Sequence, residues 1–284
     1  MEFELDEEQR LLRRTVRETV AKVRGRPERQ QWDTYLKLGW LEAPPLELAL
    51  ILEELGYAAD PTPFLATATW FAPLAGRLPG GSGTAVFDGA GRYVLDADRA
   101  DEVALLTPGG VAVVRGADLA AERVPVLDPQ LHVAHVDAPG ELVAGVPDLA
   151  LVGLAATAVG ACRRILDLVL AHVRQRVQFG KPLGSFQAVK HKAADMQVAI
   201  ERARVLTHFA ALTIAEDDSR RADAAHMAKA AAGECQRLVF RHGLQLFGAM
   251  GFTWENELQF HLKRAQACDL LLGAAPVHRK ALLA

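Results

Sequence analysis

The chain has 284 residues, of which 50% are apolar and 24% charged, and its formal net charge is −3. These values are typical of a globular protein with a buried core, and they lack the basic excess of a nucleic-acid-binding surface. The three cysteines, Cys162, Cys235 and Cys268, are odd in number and far apart, so neither a disulfide framework nor a zinc site is expected.

Residues 1–78 are predicted to form an N-terminal helical domain. The first residues are charged and lack the basic and apolar regions of a signal peptide, so we expect a cytoplasmic protein. Asp6 and Gln9 have the spacing of a capping box, and apolar residues then recur every three or four positions. Another helix is predicted over 46–55, with Gly56 as its C-terminal cap.

Residues 79–147 are predicted to form a small β-domain. The loop PGGSG opens it, and six short, valine-rich runs follow, separated by turn residues. The runs are TAVF, RYVL, VALLT, VAVV, RVPVL and LHVAHV. Runs of this length and composition indicate a small antiparallel sheet.

Residues 148–284 are predicted to form a bundle of long helices. The predicted helices cover about 149–173, 189–214, 220–247 and 257–272. The first begins with the apolar run 149–162, which holds two glycines and is soon followed by charges, so it predicts a core helix and no membrane span. Residues 217–219 (DDS) are expected to cap the third helix. Long antiparallel helices with short connections form a four-helix bundle.

The connection between the first two of these helices begins at Arg176 and reads RVQFGKPLGSFQ. Its glycines and proline predict a sharp turn, at which an arginine can bind a phosphate through two hydrogen bonds. Residue types alone are more often those of an ordinary helix–helix loop with a surface arginine. The longer segment RVQFGKPLGSFQAVKHKAADM resembles, nearly residue for residue, the C-terminal domain of the acyl-CoA dehydrogenase superfamily. The resemblance implies FAD as cofactor, with Arg176 on its pyrophosphate and Phe179 and Gln187 also facing it.

A second segment, QLFGAMGFTWE, begins at Gln245 and contains glycines that let a backbone approach a ligand closely. Alone, it is also typical of a glycine-rich helix end. It resembles the family pattern QxxGGxGF, whose backbone meets the adenosine diphosphate of FAD in a neighbouring subunit. The resemblance implies this role for Gln245, Gly248 and Gly251. Ala249 stands where the family has a second glycine, and its methyl group could narrow or reshape the approach.

The resemblance covers nearly the whole chain and implies a mainly α fold with a small β-domain. The family arrangement is N-terminal helices, a middle β-domain, here reduced and antiparallel, and a C-terminal four-helix bundle. The stretch that starts at Trp254 resembles particularly the short, non-catalytic subunits of two-component acyl-CoA dehydrogenases. Those enzymes are heterotetramers of paired catalytic and non-catalytic chains.

Acyl-CoA dehydrogenation needs a carboxylate that removes the α-proton while FAD accepts the β-hydride. The resemblance puts this glutamate at one of two positions, which here hold Leu272 and Ala150. Neither residue is acidic, and Asp148 lies two residues out of register with the second position. The family's flavin-facing TEP…GS motif has no match between residues 58 and 147. We therefore assign no catalytic residue and no metal ligand.

These features predict an FAD-binding, flavoprotein-type subunit that acts with a longer catalytic homologue in the α,β-desaturation of an acyl-CoA. The resemblance implies fatty-acid or sterol catabolism, with an electron-transfer flavoprotein as one candidate acceptor. Two alternatives stay open. One is a self-sufficient acyl-CoA-binding enzyme with altered chemistry and Asp148 as its base, and the other is a structural partner without a cofactor. The basic cluster 190–192 could meet a phosphate, although such clusters more often form a solvated helix face.

Overall fold

The computed structural model describes residues 4–87, 93–137 and 140–283, apart from the side chain of Phe252. Most of these residues are helical. The helices are α1 (Glu7–Val23), α2 (Glu28–Lys37), α3 (Pro45–Ala58), α4 (Phe64–Ala66), α5 (Ala72–Ala75), α6 (Asp148–Gln175), α7 (Gln187–Ala215), α8 (Arg221–Phe247), α9 (Leu258–Leu270) and α10 (Ala275–Ala281). A π-helix over Thr67–Phe71 joins α4 to α5.

The first helix begins as its capping box predicts. The Asp6 carboxylate accepts a hydrogen bond from the Gln9 backbone N–H at 2.7 Å, and the Gln9 side chain accepts one from the Asp6 N–H at 3.1 Å. Both backbone donors would otherwise lack a partner within the helix. The prediction for Gly56 is wrong, because α3 continues to Ala58 and the left-handed cap residue is Ala59, with φ 54°.

Gly56 is needed for helix packing and not for the helix end. A Cβ at this position would lie 2.2 Å from the carbonyl oxygen of Thr157 on α6. On the opposite helix, a Cβ at Gly160 would lie 1.9 Å from the carbonyl oxygen of Glu53 on α3. Because real Cβ contacts are never this short, the two glycines allow α3 and α6 to cross in close contact.

A buried cluster of charged side chains lies beside this crossing. The Glu53 carboxylate, which is fully buried, contacts Arg163 on α6 at 3.3 Å. It also contacts Arg204 and His208 on α7 at 3.2 and 2.9 Å, and Arg13 on α1 at 3.6 Å. The charges of one residue therefore connect the N-terminal helices to two helices of the C-terminal bundle.

The strands form two small sheets and a hairpin. They are β1 (Gly83–Val86), β2 (Tyr93–Leu95), β3 (Glu102–Thr107), β4 (Gly110–Arg115), β5 (Ala120–Arg123), β6 (Val133–Asp137), β7 (Val177–Gln178) and β8 (Lys181–Pro182). The first sheet has the order β1-β3-β4, the second β2-β6-β5, and β7 pairs with β8. The antiparallel prediction needs one correction, because β1 and β3 are parallel. The chain leaves β1, adds β2 to the second sheet, and returns alongside β1 in the same direction.

Two of the predicted strand runs differ from the observed strands. In the run RVPVL only Arg123 belongs to a strand, because Pro125 has no N–H with which to continue the ladder. The first residue of the run RYVL, Arg92, lies outside the described residues. The other four runs each contain or overlap an observed strand.

The C-terminal helices pack on one another, with α6 in contact with α7, α8 and α9. Among the described residues, α6 alone is long and apolar enough to cross a membrane, and 83% of its most apolar stretch is buried within the structure. The predicted cap at 217–219 is wrong, since α8 has no side-chain cap and the Asp218 carboxylate instead binds Arg220. The last predicted helix, 257–272, corresponds to α9, and the sequence did not predict the short helix α10 that follows it.

Candidate functional site

The connection between α6 and α7 folds as a tight hairpin. Strands β7 and β8 pair Gln178 with Lys181, so two residues, Phe179 and Gly180, form the turn. Both have positive φ angles, 53° and 76°, as the commonest two-residue hairpin turn requires. The Leu183 N–H donates to the Arg176 carbonyl at 2.9 Å and closes the hairpin. The sharp turn predicted here is therefore present, and it fixes Arg176 at the end of α6.

An open pocket of about 440 Å³, which we call the Arg176 pocket, lies between this hairpin and the end of α8. Its lining includes His172, Arg176, Lys192, Gln245, Gly248 and Ala249. The fold thus brings together the two segments singled out in the sequence, although they are far apart along the chain. Of the six predicted cofactor-binding residues, Arg176, Gln245 and Gly248 line the pocket, and Phe179, Gln187 and Gly251 lie outside its lining.

The two glycines at the end of α8, Gly248 and Gly251, are needed for different physical reasons. Gly248 has φ 64° and ψ −146°, a conformation essentially confined to glycine, and it ends the helix. Gly251 is buried, and a Cβ there would lie 3.0 Å from Leu244 Cδ1 and 3.1 Å from Phe247 Cβ. Gly251 is therefore needed for packing of the turn. Ala249 is exposed and lines the pocket, so the methyl group that departs from the family pattern faces the ligand space.

The charge of the pocket is positive. Arg176 and Lys192 line it, and none of the described residues in its lining carries a carboxylate. The His172 ring stacks on Phe247 with centroids 4.5 Å apart. Burial and the nearby Arg176 charge lower the pKa of His172, so this imidazole is neutral at pH 7. The Lys192 ammonium donates a hydrogen bond to the side-chain oxygen of Gln245.

Lys192 and His172 are pocket residues that are not among the six predicted cofactor-binding residues. Lys192 belongs to the basic cluster 190–192, which was expected to be a solvated face. The structure divides that cluster, because Lys190 and His191 are exposed and do not line the pocket. The available signal was helical spacing, which places Lys192 on the same face as Ala188 and Val189, close after the hairpin.

The pocket suits an anionic group that contains a diphosphate. Two cations face an open space with no carboxylate, and a charge-assisted hydrogen bond from a guanidinium is the usual way to bind a phosphate. Arg176 and Lys192 would hold the pyrophosphate of FAD, and the backbone at Gly248 would approach it. Bound FAD supplies hydride acceptance at its flavin ring.

The two positions expected to hold a catalytic glutamate are occupied by apolar groups. Ala150 is fully buried in the first turn of α6 and its neighbour Leu151 is 2% exposed, so both belong to the core. Leu272 has φ 58° and lines an apolar pocket of about 510 Å³ between α9 and residues 124–131. Neither position can therefore remove a proton from a substrate.

The loop around Leu272 is held by buried polar groups. The Lys229 ammonium donates to the carbonyls of Asp269 and Gly273, both at 2.8 Å, and burial lowers the pKa of Lys229 to about 8. The His278 Nε2 contacts the carbonyls of Leu272 and Gly273 at 3.1 and 3.0 Å. These hydrogen bonds fix the backbone of the loop, whereas the side chain of Leu272 is apolar.

Three further candidates lack the geometry of a site. Asp148 forms an ion pair with Arg221 at 3.4 Å, and burial raises its pKa against the opposing charges of Arg221 and His226. The glycine loop at 80–84 is not an anion cradle, because Glu102 and Asp101 already accept its N–H groups. Within the described ranges, no group of three or more His, Cys, Asp or Glu residues could hold a metal ion.

Comparison with known proteins identifies the family. The family model for the acyl-CoA dehydrogenase C-terminal domain matches residues 151–284. The acyl-CoA dehydrogenase IpdE2 of Mycolicibacterium smegmatis is 33% identical over 242 residues, which cover 80% of this chain and 74% of that protein. The chain belongs to the acyl-CoA dehydrogenase family. Members of this family depend on FAD, so the cofactor expected from the sequence is confirmed as that of the family.

Solved structures confirm the predicted fold. The ChsE4-ChsE5 complex from Mycobacterium tuberculosis contains a chain with a TM-score of 0.82 and 20% identity, and the match covers 99% of this chain and 98% of that one. Butyryl-CoA dehydrogenase from Megasphaera elsdenii matches with a TM-score of 0.82 and 19% identity over the same shares. At these identities the likeness shows the acyl-CoA dehydrogenase fold.

Proposed function

We propose that this chain is the FAD-binding, non-catalytic subunit of an acyl-CoA dehydrogenase that is completed by a longer chain of the same family. The proposal rests on two features at opposite ends of α6: the cations of the Arg176 pocket and the apolar residue at the position of the base. Arg176 follows the last residue of the helix, whereas Ala150 lies in its first turn. The intervening helix is about 40 Å long at 1.5 Å per residue. In this proposal the Arg176 pocket binds the pyrophosphate of a flavin, and the partner chain supplies the base.

The exposed hairpin supports a site shared with a second chain. Phe179, at the tip of the turn, is 87% exposed and makes an edge-on contact with Phe186 at 6.0 Å. Gln187 at the start of α7 is also exposed. Both are expected to face FAD, yet neither lines the pocket of the single chain. A partner packed against the hairpin would enclose the cofactor between these side chains and its own.

The reaction proposed for the complex is the α,β-desaturation of an acyl-CoA, and the longer homologue supplies the glutamate that Ala150 and Leu272 lack. Two-chain acyl-CoA dehydrogenases are found among the structural relatives, including the ChsE4-ChsE5 complex and the Tcur3481-Tcur3483 steroid enzyme. By analogy with the latter, we propose a bulky acyl group such as a steroid side chain. An electron-transfer flavoprotein as acceptor and a cytoplasmic location complete the proposal.

The test is co-expression with a longer homologue that carries the family glutamate, followed by measurement of bound flavin and acyl-CoA turnover. The co-purified complex should show oxidised-flavin absorbance, which Arg176→Ala should largely abolish. Arg174→Ala is the matched control, because Arg174 is exposed on the last turn of α6 and does not line the pocket. The control should retain flavin and turnover.

Other outcomes would favour the alternatives. Turnover by the purified chain alone, lost in Asp148→Asn, would show a self-sufficient enzyme with Asp148 as its base. A stable complex without flavin absorbance, or flavin retained in Arg176→Ala, would contradict the proposed cofactor site. Flavin and turnover that persist in Arg176→Ala, with turnover still requiring both chains, would leave this chain as a structural partner.

A further inference from the structure

We propose that Lys192 is a positioning residue of the Arg176 pocket, which fixes the amide of Gln245 with its N–H groups toward the ligand and adds a second positive charge for a diphosphate. The inference rests on the proposed function, since it concerns the same cofactor site. It assigns a role to a lysine that lies within the family-like segment Arg176–Met196 but is not among the six predicted cofactor-binding residues.

The chemistry of the Lys192–Gln245 contact decides the orientation of the amide. A glutamine side chain has an acceptor oxygen at one end and a donor NH₂ group at the other, whereas a lysine ammonium only donates. The ammonium of Lys192 therefore holds the Gln245 oxygen. The NH₂ group is then left free, because within the described part of the chain the lysine contact is the single side-chain hydrogen bond of Gln245. Two N–H donors at the pocket edge suit a ligand rich in acceptor oxygens.

The charge of the pocket matches a diphosphate diester, which carries two negative charges. Lys192 contacts a neutral amide, and neither Lys192 nor Arg176 has a carboxylate partner among the described residues. Elsewhere in the chain, partly or fully buried arginines such as Arg204 and Arg264 are paired with carboxylates. Two neighbouring cations without counter-charge repel each other, and a divalent anion between them removes that repulsion.

Lys190 provides a matched comparison on the same helix. It is exposed, lies two residues before Lys192, and does not line the pocket. The change Lys190→Met therefore removes the same charge from the same helix without touching Gln245. A general effect of net charge on anion binding would appear in both variants, whereas a local role would appear in Lys192→Met alone.

The experiment measures the affinity of the full chain for FAD, ADP and riboflavin by calorimetric titration, alone and co-purified with its longer homologue. We expect Lys192→Met to weaken FAD and ADP binding about ten- to a hundredfold, the effect of losing a charge-assisted hydrogen bond. Lys192→Arg should restore most of the affinity, and Lys190→Met should resemble the wild type. Riboflavin, which has no phosphate, should bind equally to all variants.

Lys192→Glu gives a larger perturbation of the same contact. A carboxylate at this position would accept from the Gln245 NH₂ group, turn the amide around and repel the diphosphate, so the loss should exceed that of Lys192→Met. If Lys192→Met binds FAD like the wild type while Arg176→Ala does not, this inference fails and the proposed function stands. If neither variant changes FAD affinity, or no diphosphate binds, the cofactor site itself is wrong. An equal loss of riboflavin and FAD with a lower unfolding temperature would show a merely structural role and overturn the inference.

Discussion

Replacement of Glu53 by glutamine should remove the charge that joins three helices. The carboxylate is fully buried and contacts Arg163, Arg204 and His208 at 2.9–3.3 Å. Breaking a buried ion pair on one side costs about 3–5 kcal/mol, because the remaining charges stay buried without their partner. Here Arg163 keeps Glu54 and Arg204 keeps Glu201. We therefore expect the lower end of that range, about 3 kcal/mol.

The pKa of Glu53 gives an independent magnitude. Burial alone would raise this pKa, but the hydrogen bond and charge of His208 and the charges of Arg204 and Arg163 outweigh it and hold the pKa at about 2, against 4.5 for an ordinary glutamate. A shift of this size corresponds to about 3 kcal/mol. Because the folded-state pKa is below the unfolded one, the stabilisation is present above pH 4.5 and is lost as the pH falls toward 2.

The assay is chemical unfolding of wild type and Glu53→Gln at several pH values between 7 and 3. The difference in free energy of unfolding should be about 3 kcal/mol at pH 7 and should shrink below pH 4.5. Glu47→Gln is the matched control, because Glu47 lies on the same helix and contacts the neutral Gln9 side chain. A difference that is near zero at pH 7, or that does not change with pH, would refute the assignment of the stabilisation to the Glu53 charge.

Two further predictions concern packing and a buried aspartate. Gly160→Ala should lower the free energy of unfolding by about 1–3 kcal/mol or more, because its Cβ would meet the Glu53 carbonyl oxygen at 1.9 Å and force α3 and α6 apart. Gly109→Ala is the control and should change stability little, because its Cβ would meet only Thr107 Oγ1, at 3.8 Å. Burial raises the pKa of Asp96 to about 6 against the opposing Arg99 charge. The folded state therefore favours the protonated carboxyl, and this contribution to stability is present below pH 3.8 and is lost as the pH rises through 6. At pH 8 the free energy of unfolding of Asp96→Asn should therefore exceed that of the wild type by about 1–3 kcal/mol, and at pH 4 the two values should be equal. Equal stability at both pH values would contradict this prediction.

Features that depend on neighbouring residues in the chain were predictable. The Asp6–Gln9 capping box spans four consecutive residues at one helix start, and the structure has both of its hydrogen bonds. The turn at Gly180 follows from the glycine and the following proline, and it is present. Long helices with apolar periodicity also occur where they were expected, with ends that differ by a few residues.

Features that depend on distant residues were not predictable from local pattern. Gly56 has the signature of a helix end, and only the position of Thr157 on α6 shows that it serves close packing. The parallel pairing of β1 with β3 depends on β2 joining the other sheet, which no single run reveals. In both cases the deciding contact joins residues that are far apart in sequence.

The candidate site also has parts that the sequence predicted and parts that only the fold reveals. The resemblance named Arg176 and Gln245, and the fold brings both to one pocket. Their assignment to FAD stays a prediction until binding is measured. The sequence left Lys192 between a phosphate contact and the more common solvated helix face, because its spacing along α7 does not show that the end of α8 lies opposite. Its partner, Gln245, had been singled out for a different reason.

The Arg176 pocket and the position of the catalytic base lie at opposite ends of α6, which explains how a chain can retain the pocket and lack the base. The Arg176 pocket lies beyond the C-terminal end of the helix, and Ala150 lies about 40 Å away in its first turn, inside the core. An apolar residue at Ala150 packs against its neighbours without disturbing Arg176, because substitutions this far apart act independently. An apolar residue at the position of the base is therefore compatible with an intact pair of cations at the other end of the helix.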